Sequence, residues 1–528
     1  VTQLLTQAAL DPAEVTTDPR LAAPTWDPAA EPRRRSMTRL LVTVQIVAAV
    51  WYFGWLLAPD RIGARWLYWP LIAAEVFNLV QAAGFCWTVV KRPRRRVVHT
   101  LPGVVDVDVF IPVYNEPVEI VEPTVLAATR LRGARVNVVL LDDGNSAAMH
   151  ELAERAGVAY LRRSHHVGAK AGNINNALRH TTGEYVVILD CDHVARPELL
   201  ERTLGEFSDP GVALVQTPQY YANTAESSVA AAAWAQQSLF FGSIARGKDS
   251  LGAMFCAGTN VVLRREALAA AGNFPEGSLT EDFVLSVTLH ERGWRTVYVP
   301  EVLACGLGPT DMGSYAGQQL RWSRGCLSAV GTILKARLPF RLRAQYLLSA
   351  MYFLSGWTLL IYMSLPVIRM LAGDQPLAQA GSDQFLVHFA PYFALSLLIV
   401  ARAGQGCYSF GGFALAATSW WIHVLSSLRA LFRRPGRFVV TPKQQGSGWQ
   451  PKVVLPSLVA VAILLGSSVK VLVGSTSPST LNNVGFAMLH VTVLLCGAAP
   501  ALRLSHWSPR RTAAGRRSTR EIRPSERP

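Results

Sequence analysis

The sequence predicts an α/β layer domain joined to an all-α membrane bundle of about six transmembrane helices plus interfacial helices. Three observations carry this. Hydrophobic residues make up 50% of the 528, charged residues only 16%, and the mean hydropathy is +0.22. Long apolar stretches flank a middle region, about 104–325, in which shorter apolar runs alternate with helical patterns. The net charge of +15 is concentrated beside the apolar stretches, at Arg33–Arg35 and Arg39, Lys91–Arg96, Lys335–Arg343, Arg429–Arg437 and beyond Arg503. Such flanks match cytoplasmic membrane borders in contact with anionic lipid, so nucleic acid is not the expected partner.

Residues 1–36 read as a disordered cytoplasmic arm, rich in Pro, Ala and Thr up to about residue 32, and their start lacks the pattern of a signal peptide. Two membrane helices fall within 37–95, at about 40–58 and 66–90. Four more fall within 336–505, at about 344–371, 385–401, 452–473 and 484–504. Each of the first two is long enough to cross ~30 Å of hydrocarbon. The connections 373–384 and 474–483 lack Lys and Arg and are assigned outside; the basic connections are assigned inside. Both termini and the middle region are then cytoplasmic, as in a multi-pass protein of the cell (inner or plasma) membrane. The stretch 408–432 is apolar enough to cross, but crossing would invert the charge parity of every later loop. It is assigned as interfacial, with Trp420 and Trp421 at headgroup level. Glu75 and Lys470 lie inside spans; Glu75 is functional or a structural hydrogen-bonding residue, and Lys470 can snorkel. Residues 506–528 form a basic tail. The seven cysteines show neither CxxC nor metal-ligand spacing, which fits a reduced compartment.

Within 96–335, VDVDVFIPV, VNVVLLDD, EYVVILD and VALVQTP read as strands and the segments between them as helices, giving a largely parallel sheet. Ligands bind beyond the carboxyl ends of such strands. Three of those ends carry polar clusters: IPVYNEP, LDDGN and LDCDH. DDG is by itself a turn, and DxD is by itself a helix cap. Together, Glu116, Asp142, Asp143, Asp190 and Asp192 would repel one another at one sheet edge. A nucleotide diphosphate with Mg²⁺ or Mn²⁺ resolves that conflict. In extended chain Asp190 and Asp192 point to the same side, so both can address one metal-diphosphate unit.

The ordered blocks IPVYNEP, LDDGN, GAKAGNINNAL, LDCDH, FCAGTNVVLRR, TEDFVLS and QQLRWSRG resemble the family 2 processive membrane glycosyltransferases of the bacterial cellulose-synthase type. Gln318, Arg321 and Trp322 supply QxxRW, and FVVTPK at 438–443 resembles the family's F-x-V-T-x-K gating loop. The resemblance covers about three quarters of the chain. It implies a GT-A, Rossmann-like domain and these roles. Tyr114, Glu116 and Asp142 or Asp143 bind uridine, with the choice within the pair left open. Lys170, Asp190, Gln318, Arg321, Thr441 and Lys443 address the diphosphate. Asp190, Asp192 and His193 hold the metal, although His193 is equally a helix-capping residue. Asp282 of Thr280-Glu281-Asp282 is the general base, Thr280 also being able to cap the following helix. Trp322 and Cys256 face the acceptor, although a small buried cysteine serves equally well at 256.

The implied function is inverting, processive transfer from UDP-glucose to a β-1,4-glucan extruded through the protein's own channel. β-1,3 or mixed-linkage glucan is close behind, and a chitin- or hyaluronan-type polymer from another UDP-sugar stays open. A lipid-linked acceptor and a non-catalytic channel rank lower. The implied partners are a UDP-sugar, the growing polysaccharide, the bilayer and an extracytoplasmic accessory subunit. Many relatives carry extra N-terminal spans and a C-terminal cyclic-dinucleotide-sensing barrel; direct control of that kind is not expected here.

Overall fold

The computed structural model describes residues 31–94, 103–379, 381–432, 449–474 and 477–502. Most of the N-terminal arm, the FVVTPK segment with Thr441 and Lys443, and the basic tail lie outside the described residues.

Six helices among the described residues are long and apolar enough to cross a membrane: Arg33–Leu56, Arg65–Val89, Phe340–Ala372, Ser382–Ala403, Pro451–Gly474 and Pro478–Ala501. The first continues from a helical turn that begins at Glu31, so Arg33–Arg35 are helical and extend the apolar span at its basic end. The connection after it pairs with the one after the third span: Gly63 N–H donates to Pro376 O at 3.0 Å and Ala378 N–H to Arg61 O at 2.9 Å. Ser382 Oγ reaches Pro478 O at 3.4 Å, which brings the last connection to the same end. Two of the three, 373–384 and 474–483, are the connections that lack Lys and Arg; the first carries Arg61.

Between the second and third spans the described residues form a ten-strand α/β domain. In chain order its strands are β1 (Asp106–Val113), β2 (Arg135–Asp142), β3 (Ala159–Arg162), β4 (Tyr185–Ile188), β5 (Val194–Ala195), β6 (Val212–Gln216), β7 (Tyr220–Tyr221), β8 (Val261–Arg264), β9 (Arg295–Tyr298) and β10 (Ala304–Gly306). The main sheet runs β3-β2-β1-β4-β8-β6-β9, and β5-β10-β7 form a small second sheet. The sheet is mixed, not uniformly parallel: β8 lies antiparallel to both β4 and β6. Its four residues are all buried. A run that short carries no period by which sequence can separate strand from connector. The four strands read from sequence are β1, β2, β4 and β6. Of the helices, Val118–Ala128, Ala147–Ala156 and Ala169–His180 form as expected, whereas 199–208 gives only one α-helical turn followed by a 3-10 turn.

The stretch 408–432 forms two helices, Phe410–Thr418 and Trp420–Leu431, broken at Ser419. At 1.5 Å per residue neither is long enough to cross ~30 Å. The second packs on the helix Met312–Ser328, where Ser323 Oγ meets Ser426 Oγ at 2.6 Å. Trp420 is not simply a headgroup anchor: its indole N–H donates to Ser457 in the fifth span at 3.2 Å. Glu75 is buried and accepts from Tyr362 Oη at 2.9 Å, while Asn78 donates to the same Tyr362 oxygen at 2.8 Å. That is a hydrogen-bonded tie between the second and third spans. Lys470 is exposed near its helix end.

Candidate active site

Strand ends and two helix starts enclose a cavity of about 970 Å³. Its walls bring together Tyr114, Glu116, Asp143, Lys170, Asp190, Asp192, His193, Thr280, Glu281, Asp282, Gln318, Arg321 and Trp322. Asp142 and Cys256 are not among them. Asp142 is fully buried and accepts from Gly144 N–H and Ser146 N–H, both at 2.7 Å, and from Tyr160 Oη at 2.8 Å. Three donors satisfy its charge in building the turn after β2, so of the two aspartates it is Asp143 that meets the cavity. Cys256 is packed in the apolar layer under the sheet with Phe110, Val261 and Leu285, where burial pushes its thiol well above the ordinary range. Of the two readings left open for it, the structure places it as a small core residue.

The charge conflict at the sheet edge is met by groups of this chain. Asp143 is held by Arg163 through two hydrogen bonds of 2.6 Å each. Lys170 donates to Asp190 Oδ1 at 2.5 Å and to Gly258 O at 2.8 Å. Burial acts against the Lys170 charge, but Asp190, Glu281 and Asp282 outweigh it and hold the ammonium above its usual range. Burial likewise disfavours ionised Asp190, yet Lys170 and then His193 hold its carboxyl below the usual range.

Asp190, Asp192 and His193 present ligand atoms within 4.8 Å of one another. His193 Nδ1 lies 3.2 Å from Asp192 Oδ1, and its Nε2 is buried without a hydrogen-bond partner. Two carboxylates and an imidazole with ligand atoms this close, one ring nitrogen being buried without a partner, fit a divalent cation of oxygen and imidazole preference. It fits helix capping poorly, since a capping nitrogen would be paired.

Opposite this cluster lies the start of the helix Glu281–Glu291. Thr280 makes no side-chain cap, contrary to one reading of Thr-x-Asp; its hydroxyl is buried without a partner. The side chain instead abuts Gly325 of the helix Met312–Ser328, where an added Cβ would come within 2.4 Å of the threonine methyl. That close approach sets the Thr280-Glu281-Asp282 turn against the helix bearing Gln318, Arg321 and Trp322. Burial, and next the charge of Asp282, push Glu281 up to about 7. Burial also raises Asp282, against the lowering effect of Phe283 N–H, Lys170 and Arg321.

The Met312–Ser328 helix is capped by Asp311, which accepts from Gly313 N–H at 2.9 Å and Ser314 N–H at 3.0 Å. Gln450, just before the fifth span, donates to Asp311 Oδ1 at 2.9 Å and accepts from Gly313 N–H at 2.6 Å. The membrane bundle therefore holds the N-terminus of that helix directly. Sequence reading missed Gln450 and Arg163; an arginine seven residues before Lys170 carries no periodic or motif signal.

An acidic sheet edge, a metal-compatible cluster and an opposed buried carboxylate define a GT-A glycosyltransferase domain. Family models place it more closely: glycosyltransferase like family 2 matches residues 102–325, and cellulose synthase matches residues 273–421. The chain belongs to the membrane-embedded family 2 glycosyltransferases of the cellulose-synthase type. A putative cellulose synthase 2 of Komagataeibacter xylinus is 31% identical over 463 residues, covering 82% of this chain and 30% of that protein. A UDP-forming cellulose synthase catalytic subunit of Pseudomonas fluorescens is 30% identical over 450 residues, covering 80% of this chain and 60% of the relative. The chain thus spans only part of the length of these curated relatives. A mannosyltransferase of Pyrobaculum calidifontis, solved with GDP-Man and Mn²⁺, shares the fold at TM-score 0.53 and 17% identity, over 70% of this chain and 99% of that one.

Proposed function

We propose that the chain is a processive, inverting glycosyltransferase that polymerises UDP-glucose into a β-1,4-glucan and passes it through its own helical bundle. The observation that carries this reading is the convergence of Asp143, the Asp190–His193 cluster, Asp282 and the Gln318–Trp322 turn on one cavity. The relatives named cellulose synthase support the choice of glucose and of the β-1,4 linkage.

In this reading Tyr114, Glu116 and Asp143 bind the nucleoside, while Lys170, Gln318 and Arg321 receive the diphosphate. Asp190, Asp192 and His193 would hold Mg²⁺ or Mn²⁺. The chemistry such an ion supplies when bound is charge neutralisation on the diphosphate oxygens. Asp282 takes the proton of the acceptor hydroxyl as its oxygen bonds the anomeric carbon. The bond from that carbon to the diphosphate breaks on the opposite face, its electron pair leaving with UDP. Arg321 meets the charge that develops there, its planar fork suiting phosphate oxygens. Trp322 offers a flat face to the acceptor sugar. The α/β domain lies on the cytoplasmic side, where the donor is made, and an extracytoplasmic subunit receives the chain.

The direct test supplies UDP-glucose and UDP-N-acetylglucosamine separately to protein in nanodiscs with Mg²⁺ or Mn²⁺, then digests the product with linkage-specific glucanases and chitinase. A cellulase-sensitive polymer from UDP-glucose is expected. A chitinase-sensitive product would overturn the donor, and no product with UDP bound would overturn autonomous synthesis.

Phe438–Lys443 closes over the donor in this reading, with Thr441 and Lys443 reaching the diphosphate. Removing the segment should raise the donor KM at least about tenfold, the effect of one lost charged contact near 1.5–3 kcal/mol. Unchanged kinetics would reduce it to a connector.

A further inference from the structure

Arg163 lies outside the cavity wall, yet its guanidinium is bonded on every side. Nε and Nη2 donate to the two oxygens of Asp143 at 2.6 Å, Nη1 donates to Val167 O at 2.6 Å, and Nη2 also donates to Ala169 O at 2.8 Å. Both partners of the ion pair are nearly buried, with side-chain exposures of 10% for Arg163 and 7% for Asp143. One planar cation therefore fixes the aspartate that follows β2 and the two loop carbonyls that precede Lys170. The loop is held tightly: Ala169 has a left-handed φ of 45°. At Gly172 an added Cβ would fall 2.1 Å from Val167 O and 2.6 Å from Arg163 Nη1. Lys170, one residue past the clamped carbonyl, reaches across to Asp190.

We propose that Arg163 is a positioning residue that sets the separation between Asp143 and Lys170, so that the two ends of one nucleoside diphosphate are gripped together. The inference rests on reading the cavity as a nucleotide-sugar site, and it deepens that reading by naming what measures the ligand's length. Asp143 is the contact toward the nucleoside and Lys170 the contact toward the phosphates; neither is on the same element as the other. A two-point grip gains over its separate halves only when the points are held at the ligand's own spacing. Lysine at 163 keeps the charge but cannot supply the planar fork that bonds the carboxylate and both carbonyls at once.

The test compares UDP, uridine and inorganic pyrophosphate, each by calorimetry with Mg²⁺, on the full chain in nanodiscs. For Arg163→Lys, UDP should bind at least tenfold more weakly while uridine and pyrophosphate each change less than threefold. The donor KM should rise by a larger factor than kcat falls. Gly172→Ala keeps the guanidinium but sets a Cβ against both the Val167 carbonyl and Arg163 Nη1, and should produce the same selective loss. Equal losses for UDP and both fragments in the two variants, or unchanged UDP affinity, would overturn the proposal. Should the wild type bind GDP in place of UDP, the donor reading fails and the same comparison is made with GDP and guanosine; a selective loss there still supports the ruler.

Discussion

Asp282→Asn should lower polymer formation by about 10²–10⁴-fold, the usual contribution of a positioned general base. UDP affinity should stay within a few fold, because in the proposed reading Asp282 acts on the acceptor hydroxyl and the amide keeps its size. Persistent synthesis in the variant would remove Asp282 as the base. The wild-type pH profile supplies a second check. Asp282 and Glu281 are both raised by burial, and Glu281 reaches about 7. A base must be ionised to act, so activity is present above the folded-state titration and lost as pH falls through it. The acid limb of kcat should therefore lie well above the ordinary carboxylate range near 4, and it belongs to the pair, not to one residue. In Glu281→Gln the neighbouring negative charge is gone, ionisation of Asp282 becomes easier and the limb should move to lower pH. A limb near 4 in the wild type would show that the base is a solvated carboxylate elsewhere.

Asp192→Asn should cost at least about a hundredfold in transfer, comparable with loss of one fixed electrostatic group at a developing charge. Asp192 is fully buried beside His193, so an amide there keeps the shape of the site and removes only a charged ligand. In the wild type a chelator should abolish synthesis, with Mg²⁺ or Mn²⁺ restoring it. The decisive measurement is UDP affinity with and without Mn²⁺: the ion should tighten binding to the wild type and have little effect on the variant. Equal tightening in both would move the metal away from this cluster.

Much of this arrangement was legible in sequence because each of its parts has a local signature. Apolar length marks the spans, short apolar runs mark β1 and β4, and the polar ends of β1, β2 and β4 are visible as quoted motifs. What was not legible depends on three-dimensional neighbours. Asp142 and Asp143 are adjacent and chemically alike; only the fold shows that two backbone N–H groups and Tyr160 consume the first, leaving the second to the cavity. Cys256 stands next to cavity-lining Ala257 and Gly258, yet the chain turns its side chain into the core. β8 owes its extended form to the strands on both sides of it, not to its own pattern. Arg163 and Gln450 act through partners distant in sequence, and neither belongs to a motif.

The place of β8 also governs the order in which the domain can be assembled on the ribosome. The parallel unit β3-β2-β1-β4 uses residues 106–188 and can pair as soon as these emerge. β4 then waits with one open edge until Val261 arrives opposite Ile188, and β6, already synthesised, has no neighbour in the main sheet before that moment. An open strand edge is a template for wrong pairing. Here the waiting edge leads straight into Asp190 and Asp192, whose charges discourage a second chain from extending the sheet past that point.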